Sequence, residues 1–417
     1  MNPLLSRASR LIPGSIYGHT SPILSHPQTA PAFAIKAKGA RYIDADGNEW
    51  LDLMCAYGTN ILGYAHPTVL EAAIRQLHNS DCLNHPTPLM LDLADRLISL
   101  TQFAAWAVFA KNGTDVTTYA IQVAREHTRR PKILSISGAY HGTAPWCAPS
   151  IAGILPEERR HIHTFPWNDL NHFHTLIKKH HNQIAAIILT PFHHPNFAPA
   201  QLPSPDFFPT IQNTCRQHGI QIILDDIRAG FRLHHRGSHK IFNLTPDLAC
   251  YGKALANGFP ISACLGAAHL RRAAERVFFT GSTWHSAASM AAALATLDLI
   301  EKNNIPQFLH QQGLRLKNSL EQLAAQHSLS FTLTGPPAMP TPHFENDPSL
   351  LLLQTFTHLL MRQHVFLHPH HNGFLCAAHT DYEINEIIHR SQIAFASLKS
   401  TLSQTHPHTY PHPTTHD

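Results

Sequence analysis

Three short, mainly apolar runs stand out in the middle of the chain, at residues 132–136, 184–189 and 220–224. They are too short for helices and lack polar alternation, which is the pattern of strands buried on both faces. Residues 114–126 instead place Val116, Ala120, Val123 and Ala124 on one helical face. Residues 204–218 form a second helical stretch, interrupted early by Pro205 and Pro209. Such alternation predicts an α/β fold, a mainly parallel sheet with helices on both faces. Residues 40–53 (ARYIDADGNEWLDL) read as a β-hairpin turning at Asp46-Gly47. Lacking a local apolar partner, it is expected to pack on the C-terminal unit. Gly335, Pro336 and the prolines beyond mark a boundary, after which helices are predicted near 349–363 and 381–398. The expected organisation is an N-terminal segment (1–70) contributing to a small α+β domain, a large domain (71–325), and the rest of the small domain (326–400). A disordered His- and Pro-rich tail (401–417) follows.

Composition narrows the function classes. The chain of 417 residues can bury a large core without disulfide or metal staples. Charged residues make up 14%, against about 25% in most proteins, and 35 histidines fill part of the gap. Net charge is +4 with those histidines neutral and climbs by up to 35 as they protonate in mild acid. At neutral pH the balance is too mild for a nucleic-acid partner. No apolar run approaches the roughly 18–20 residues of a membrane span. The N-terminus has no long apolar segment before a small-residue cleavage site, so it does not read as a secretory signal. Seven scattered cysteines (Cys55, Cys82, Cys147, Cys215, Cys250, Cys264 and Cys376) suit reduced core thiols. A cytoplasmic protein without a membrane partner is expected. His406, His408, His412 and His416 match no closed zinc site, and no metal is expected.

Candidate chemistry gathers at predicted strand ends. The run at 220–224 closes on Asp225-Asp226, at the carboxyl edge where open α/β sheets bind ligands; strand-end acids also cap turns. Lys253 follows another apolar run, in PDLACYGKALANG, with no acid close behind it. A lysine shielded from water loses basicity and becomes an amine nucleophile able to form a Schiff base, whereas most lysines are simply solvated. Lys111-Asn112-Gly113-Thr114-Asp115 opens the helix. Its free N–H groups would attract an anion, Gly113 permits close approach, and Thr114 adds a hydroxyl; an ordinary N-cap has the same composition. Asp115 would oppose that anion unless it faces away or pairs elsewhere. Tyr140, in Gly138-Ala139-Tyr140-His141-Gly142, either presents a ring face to a flat ligand or packs within its loop. An anion cradle, an aromatic face, a carboxylate and a shielded lysine are together the set that pyridoxal 5'-phosphate requires.

With these segments in this order, the sequence resembles the class III aminotransferases, and within them the glutamate-1-semialdehyde 2,1-aminomutase branch, from about Pro13 to Leu398. The resemblance rests on GARYIDADGNEWLDL, ILGYAHP, KNGTD, GAYHG, ILDDIRAGFR, PDLACYGKALANGFP and AAHTDYEI. It implies the PLP-dependent transferase fold of type I. It also implies that Lys253 carries the cofactor and shuttles protons, and that Asp225 pairs with the pyridinium nitrogen. Tyr140 would stack on one ring face and Ile227 pack on the other, with His141 a cofactor neighbour. Asn112, Gly113 and Thr114 would hold the phosphate. Thr283, in TGSTWHS, matches the position that reaches the phosphate from the neighbouring subunit, which implies a homodimer with shared active sites.

The chain departs from the pattern at several places. Asn112 stands where Ser is common, and Thr190-Pro191 replaces Glu-Pro. Leu24 occupies the place of an arginine that helps the aminomutase bind its substrate carboxylate. His370-His371-Asn372 precedes Gly373-Phe374, where the aminomutase has a glutamate. His368, His370 and His371 either line the substrate entrance or lie in a surface loop, and Arg232 is either structural or touches substrate. The expected reaction is amino transfer between a small-molecule amino substrate and a carbonyl acceptor. The alternatives are an intramolecular aminomutase, an amino-acid racemase on the same fold, and a non-catalytic His-rich binding protein.

Overall fold

The structure is a computed structural model and describes residues 3–18, 21 and 29–404. The chain first lays down β1 (Ala34–Lys38), β2 (Arg41–Asp44) and β3 (Glu49–Asp52) as successive antiparallel strands. The predicted hairpin forms because Asp44 closes its turn. Its carboxylate accepts from the Asp46 and Asn48 N–H groups and, at 2.7 Å, from Trp50 Nε1. Tyr42 pairs with Trp50 in register, and their rings stack with centroids 6.3 Å apart.

The large sheet contains β4 (Trp106–Ala110), β5 (Lys132–Ile136), β6 (Ile162–Phe165), β7 (Ile184–Leu189), β8 (Gln221–Asp225), β9 (Leu248–Tyr251) and β10 (Ser262–Gly266). Their order is β4-β10-β9-β8-β7-β5-β6. All pairings are parallel except those of β10, which runs against both β9 and β4. The apolar runs are β5, β7 and β8, the last shifted by one residue so that it ends on Asp225. β7 and β8 are buried along their whole length because both faces are covered. Ile223 and Cys250 share a core with Val116, Ala120 and Val123 of helix Gly113–Thr128. Ile222 and Leu224 share the opposite core with Phe207, Ile211 and Cys215 of helix Phe207–His218. That period of two places Asp225 on the side of Ile223, toward helix Gly113–Thr128. Helix Phe207–His218 begins past Pro205 and keeps Pro209 in its first turn, where the missing N–H costs nothing. The hydropathy reading leaves out β4, β10 and the two helices Pro67–Leu77 and Ala287–Lys302, which pack on each other.

The smaller unit is α+β. β11 (Phe331–Thr334) and β12 (Thr341–Phe344) pair antiparallel across the Gly335-Pro336 boundary. Helices Leu351–Arg362 and Asp381–Gln404 pack against each other beside them. Phe356 and Phe395 stack at 4.4 Å, and Phe331 and Phe344 meet at 5.0 Å. β13 (Val365–Phe366) pairs parallel with β3, Val365 opposite Leu51, so the N-terminal hairpin does pack on the C-terminal unit. Two thiols correct the core-thiol expectation: Cys82 is exposed and Cys147 only half-buried, because both lie in loops outside the packed layers, while the other five are buried. Leu24 and the tail histidines His406, His408, His412 and His416 lie outside the described residues.

Candidate active site

The site forms where β4, β5, β8 and β9 end. After β4 the chain passes through Lys111 and the extended Asn112 into helix Gly113–Thr128. The Asp115 carboxylate turns back and accepts from the Asn112 N–H at 2.8 Å and from its side-chain amide at 3.3 Å. The acid is thereby engaged away from the Gly113 and Thr114 N–H groups, which have no intrahelical acceptor at a helix start. Gly113 is required for a reason its sequence context did not show. A Cβ there would lie 2.7 Å from Ile227 Cδ1, so glycine is what lets Ile227 close over the helix start. Gly142, at φ +126°, plays the same part for Thr114, whose hydroxyl would overlap a Cβ at that position. The Thr114 hydroxyl accepts from the Thr143 N–H at 3.1 Å, and Thr117 donates to the His141 carbonyl at 2.9 Å, so the loop after β5 is fastened to the helix.

That fastening brings His141 to Asp225. His141 Nδ1 donates to Asp225 Oδ2 across 2.7 Å, with both side chains buried and His141 Nε2 left without a partner. Tyr140 stays 41% exposed beside them, with its ring free to receive a flat ligand. Asp226 points the other way. It accepts from the Ser238 N–H at 2.8 Å and hydroxyl at 2.6 Å, and burial pushes its carboxyl up to about 7. Of the two adjacent acids, Asp225 meets His141 and Asp226 holds a turn.

Lys253 follows β9 through the extended Gly252 and adopts a left-handed φ of 45°, a conformation rare outside glycine and asparagine and frequent at functional positions. Among the described residues its Nζ has no hydrogen bond or ion pair; it lies 6.0 Å from the centre of the Phe374 ring. Burial first, then the Arg228 charge, lowers its pKa to about 7 against the opposing pull of Asp225. Near neutral pH much of this lysine is a free amine.

Several neighbours resolve or extend the sequence reading. Arg232 is fully buried and braces the fold: its guanidinium donates to the Leu375 carbonyl and, at 3.0 Å, to the Gly58 carbonyl, above the Phe374 ring. His368 is buried, and His370 and His371 are half-buried, so the surface-loop alternative does not hold. His371 sits edge-on to Tyr57 at 5.2 Å, and His370 lies against Phe197 at 4.6 Å. Thr190 is buried and donates to the Phe192 carbonyl at 2.9 Å. Thr283 is exposed in the turn before helix Ala287–Lys302, and among the described residues no hydrogen bond joins it to the others. Arg228 and Asn372 were not anticipated: Arg228 Nη1 donates to Asn372 Oδ1 at 2.7 Å. The signal was present in Arg228, one residue past Ile227 in the acid-bearing loop.

This donor set fits pyridoxal phosphate. A buried amine of lowered basicity suits its aldehyde, a carboxylate braced by a histidine suits its ring nitrogen, and an uncommitted helix N-terminus suits its phosphate. The family profile described as Aminotransferase class-III matches residues 24–349. The chain is 39% identical to the aminopentol aminotransferase of Sphingopyxis macrogoltabida, over 97% of its own length and 96% of that protein's. It is 32% identical to the 3-aminobutyryl-CoA aminotransferase of Cloacimonas acidaminovorans, covering 96% of this chain and 97% of the other. Its fold superposes with a TM-score of 0.95 on the PLP internal aldimine form of the Sphingopyxis sp. MTA144 FumI protein, at 39% identity and covering 97% and 98% of the two chains. Both relatives named for an activity are aminotransferases, which narrows the sequence resemblance to the family as a whole and not to its aminomutase branch.

Proposed function

We propose, on the premise that this chain belongs to the class III aminotransferases, how its own residues divide the work of a PLP-dependent amino transfer between a small amino compound and a carbonyl acceptor. When bound, pyridoxal phosphate supplies a carbonyl that condenses with amines and a ring that accepts electrons. The Gly113 and Thr114 N–H groups and the Asn112 amide receive the phosphate, and Tyr140 and Ile227 bound the ring from its two sides. Asp225 would hold a proton on the ring nitrogen, with His141 keeping its carboxylate in place. Lys253 would anchor the cofactor through its amine and yield that place to an amine substrate. Its Nζ, half-deprotonated near pH 7, would take a proton from the substrate carbon and deliver it to the cofactor carbon, the shift that amino transfer requires. Thr283 reaches the phosphate seat of a second copy of the chain, so the working unit is a homodimer. Among the described residues no helix is long and apolar enough to cross a membrane, and the seven cysteines are all free, in keeping with a cytoplasmic enzyme.

By likeness to the relatives named for aminopentol and 3-aminobutyryl-CoA, the amino substrate is a compound of those kinds. Glutamate semialdehyde is disfavoured, because the position of the aminomutase's carboxylate-binding arginine holds Leu24. The observation that carries the assignment of roles is the unpartnered Lys253 amine beside the buried Asp225–His141 pair. The test is the visible absorption spectrum after incubation with pyridoxal phosphate, beside that of Lys253→Ala. A band in the wild type that the variant lacks, bleached by amines, supports these roles; a folded wild type without a band rejects them. Feeding one amino substrate without acceptor must also stall the enzyme after one turnover, since a mutase or racemase would continue.

A further inference from the structure

Among the described residues Arg228 is a cation without a counter-ion. It lies two residues past Asp226, half-buried and within electrostatic reach of Lys253. Among the described residues no carboxylate forms an ion pair with it, and its one hydrogen bond goes to a neutral acceptor, Asn372 Oδ1, at 2.7 Å. The nearest acid, Asp225, is already engaged by His141. Its other neighbours add no negative charge: His194, His371 and Lys253 all have their proton affinity lowered by it. Burial drops the guanidinium itself to about 10. A guanidinium carries five N–H donors in a planar fork that matches a carboxylate, and this half-buried one has no anion to fill it.

We propose that Arg228, oriented by Asn372, is the seat for a carboxylate on the substrate, next to the carbon on which Lys253 acts. The ligand class is a small 2-oxo acid acceptor and the amino acid formed from it. Asn372 is suited to this role because its amide carbonyl fixes the guanidinium without neutralising it. An aspartate of the same length there would close an internal ion pair and occupy the seat. The neutral surroundings leave the substrate anion as the charge that completes the site. This assignment rests on the amino-transfer reading above and adds to it the chemistry of the acceptor.

The test uses the PLP-loaded enzyme as wild type, Arg228→Gln, Arg228→Lys and Asn372→Asp. Propionate, a carboxylate that cannot react, is titrated by calorimetry, and pyruvate is compared with propanal as acceptor. The expected result is that Arg228→Gln and Asn372→Asp each weaken propionate binding and raise KM for pyruvate at least tenfold. For both variants kcat/KM for propanal falls far less than kcat/KM for pyruvate, and Arg228→Lys recovers part of the loss for pyruvate. Equal losses for pyruvate and propanal would overturn the proposal and make Arg228 a contact of the cofactor or of Lys253 alone. So would a wild type that binds no propionate. Failure of the wild type to aminate any acceptor would instead reject the amino-transfer reading, with the propionate titration still deciding the seat.

Discussion

His141 and Asp225 meet at 2.7 Å although 84 residues separate them, and neither side chain touches bulk water. An ionised carboxylate only accepts hydrogen bonds, so His141 Nδ1 is the donor and holds the Asp225 carboxylate directed at the site. His141 is a positioning residue: removing it frees Asp225 to turn. His141→Ala is expected to lower the rate of the amine half-reaction by about 10- to 100-fold, the range seen for partners that orient a reacting group. Asp225→Asn should lose more than His141→Ala, whereas Asp226→Asn should keep the cofactor band. Single-turnover kinetics on the three variants give the order.

Lys253 links the site to stability. The unfolded lysine holds its proton up to about 10.5, the folded one only up to about 7. Between those values the unfolded state binds more protons, so stability rises with pH through that window, and the penalty is complete below it. Lys253→Met should therefore melt higher than the wild type when both are cofactor-free at pH 6, with the gap closing as pH approaches 10.5. Paired thermal melts across that range check both the sign and the window. A constant gap would mean packing, not charge, separates the two proteins.

Gly113→Ala drives a methyl toward Ile227 Cδ1, 2.7 Å away. Overpacking of this kind costs about 1–3 kcal/mol, and here the strain falls on the helix start that receives the phosphate. The variant should bind pyridoxal phosphate more weakly. Ile227→Val removes the offending carbon and should restore most of that affinity in the double variant. A cofactor titration of all four proteins measures the coupling directly.

Arg232 joins the N-terminal segment at Gly58 to the C-terminal unit at Leu375. Arg232→Ala leaves two buried carbonyls without donors and an aromatic face without its cation. A loss of about 3 kcal/mol or more is expected, read as a lower denaturation midpoint.

Local pattern was enough for the elements that carry their own signal. The apolar runs of β5, β7 and β8 need both faces covered whatever covers them, and the Asn112–Asp115 segment can only be a helix start. The types and order of Lys253, Asp225 and Tyr140 already named the cofactor, because its aldehyde, ring nitrogen and ring face each demand a distinct chemistry. What a residue does beyond its type depends on neighbours distant in the chain, and only tertiary packing supplied these. Residue type and spacing do not separate Asp225 from Asp226, which only the family resemblance told apart; the strand's alternation sends one to His141 and the other to Ser238. Arg228 and Arg232 are both arginines of one loop. One meets two backbone carbonyls and is spent on the fold, while the other meets a single neutral amide 144 residues away and keeps its charge available. Likewise β13 is too short to show a period, and it exists because β3 offers an edge to pair with. Burial and pairing are properties of the folded surroundings, and they turned a set of candidate residues into roles.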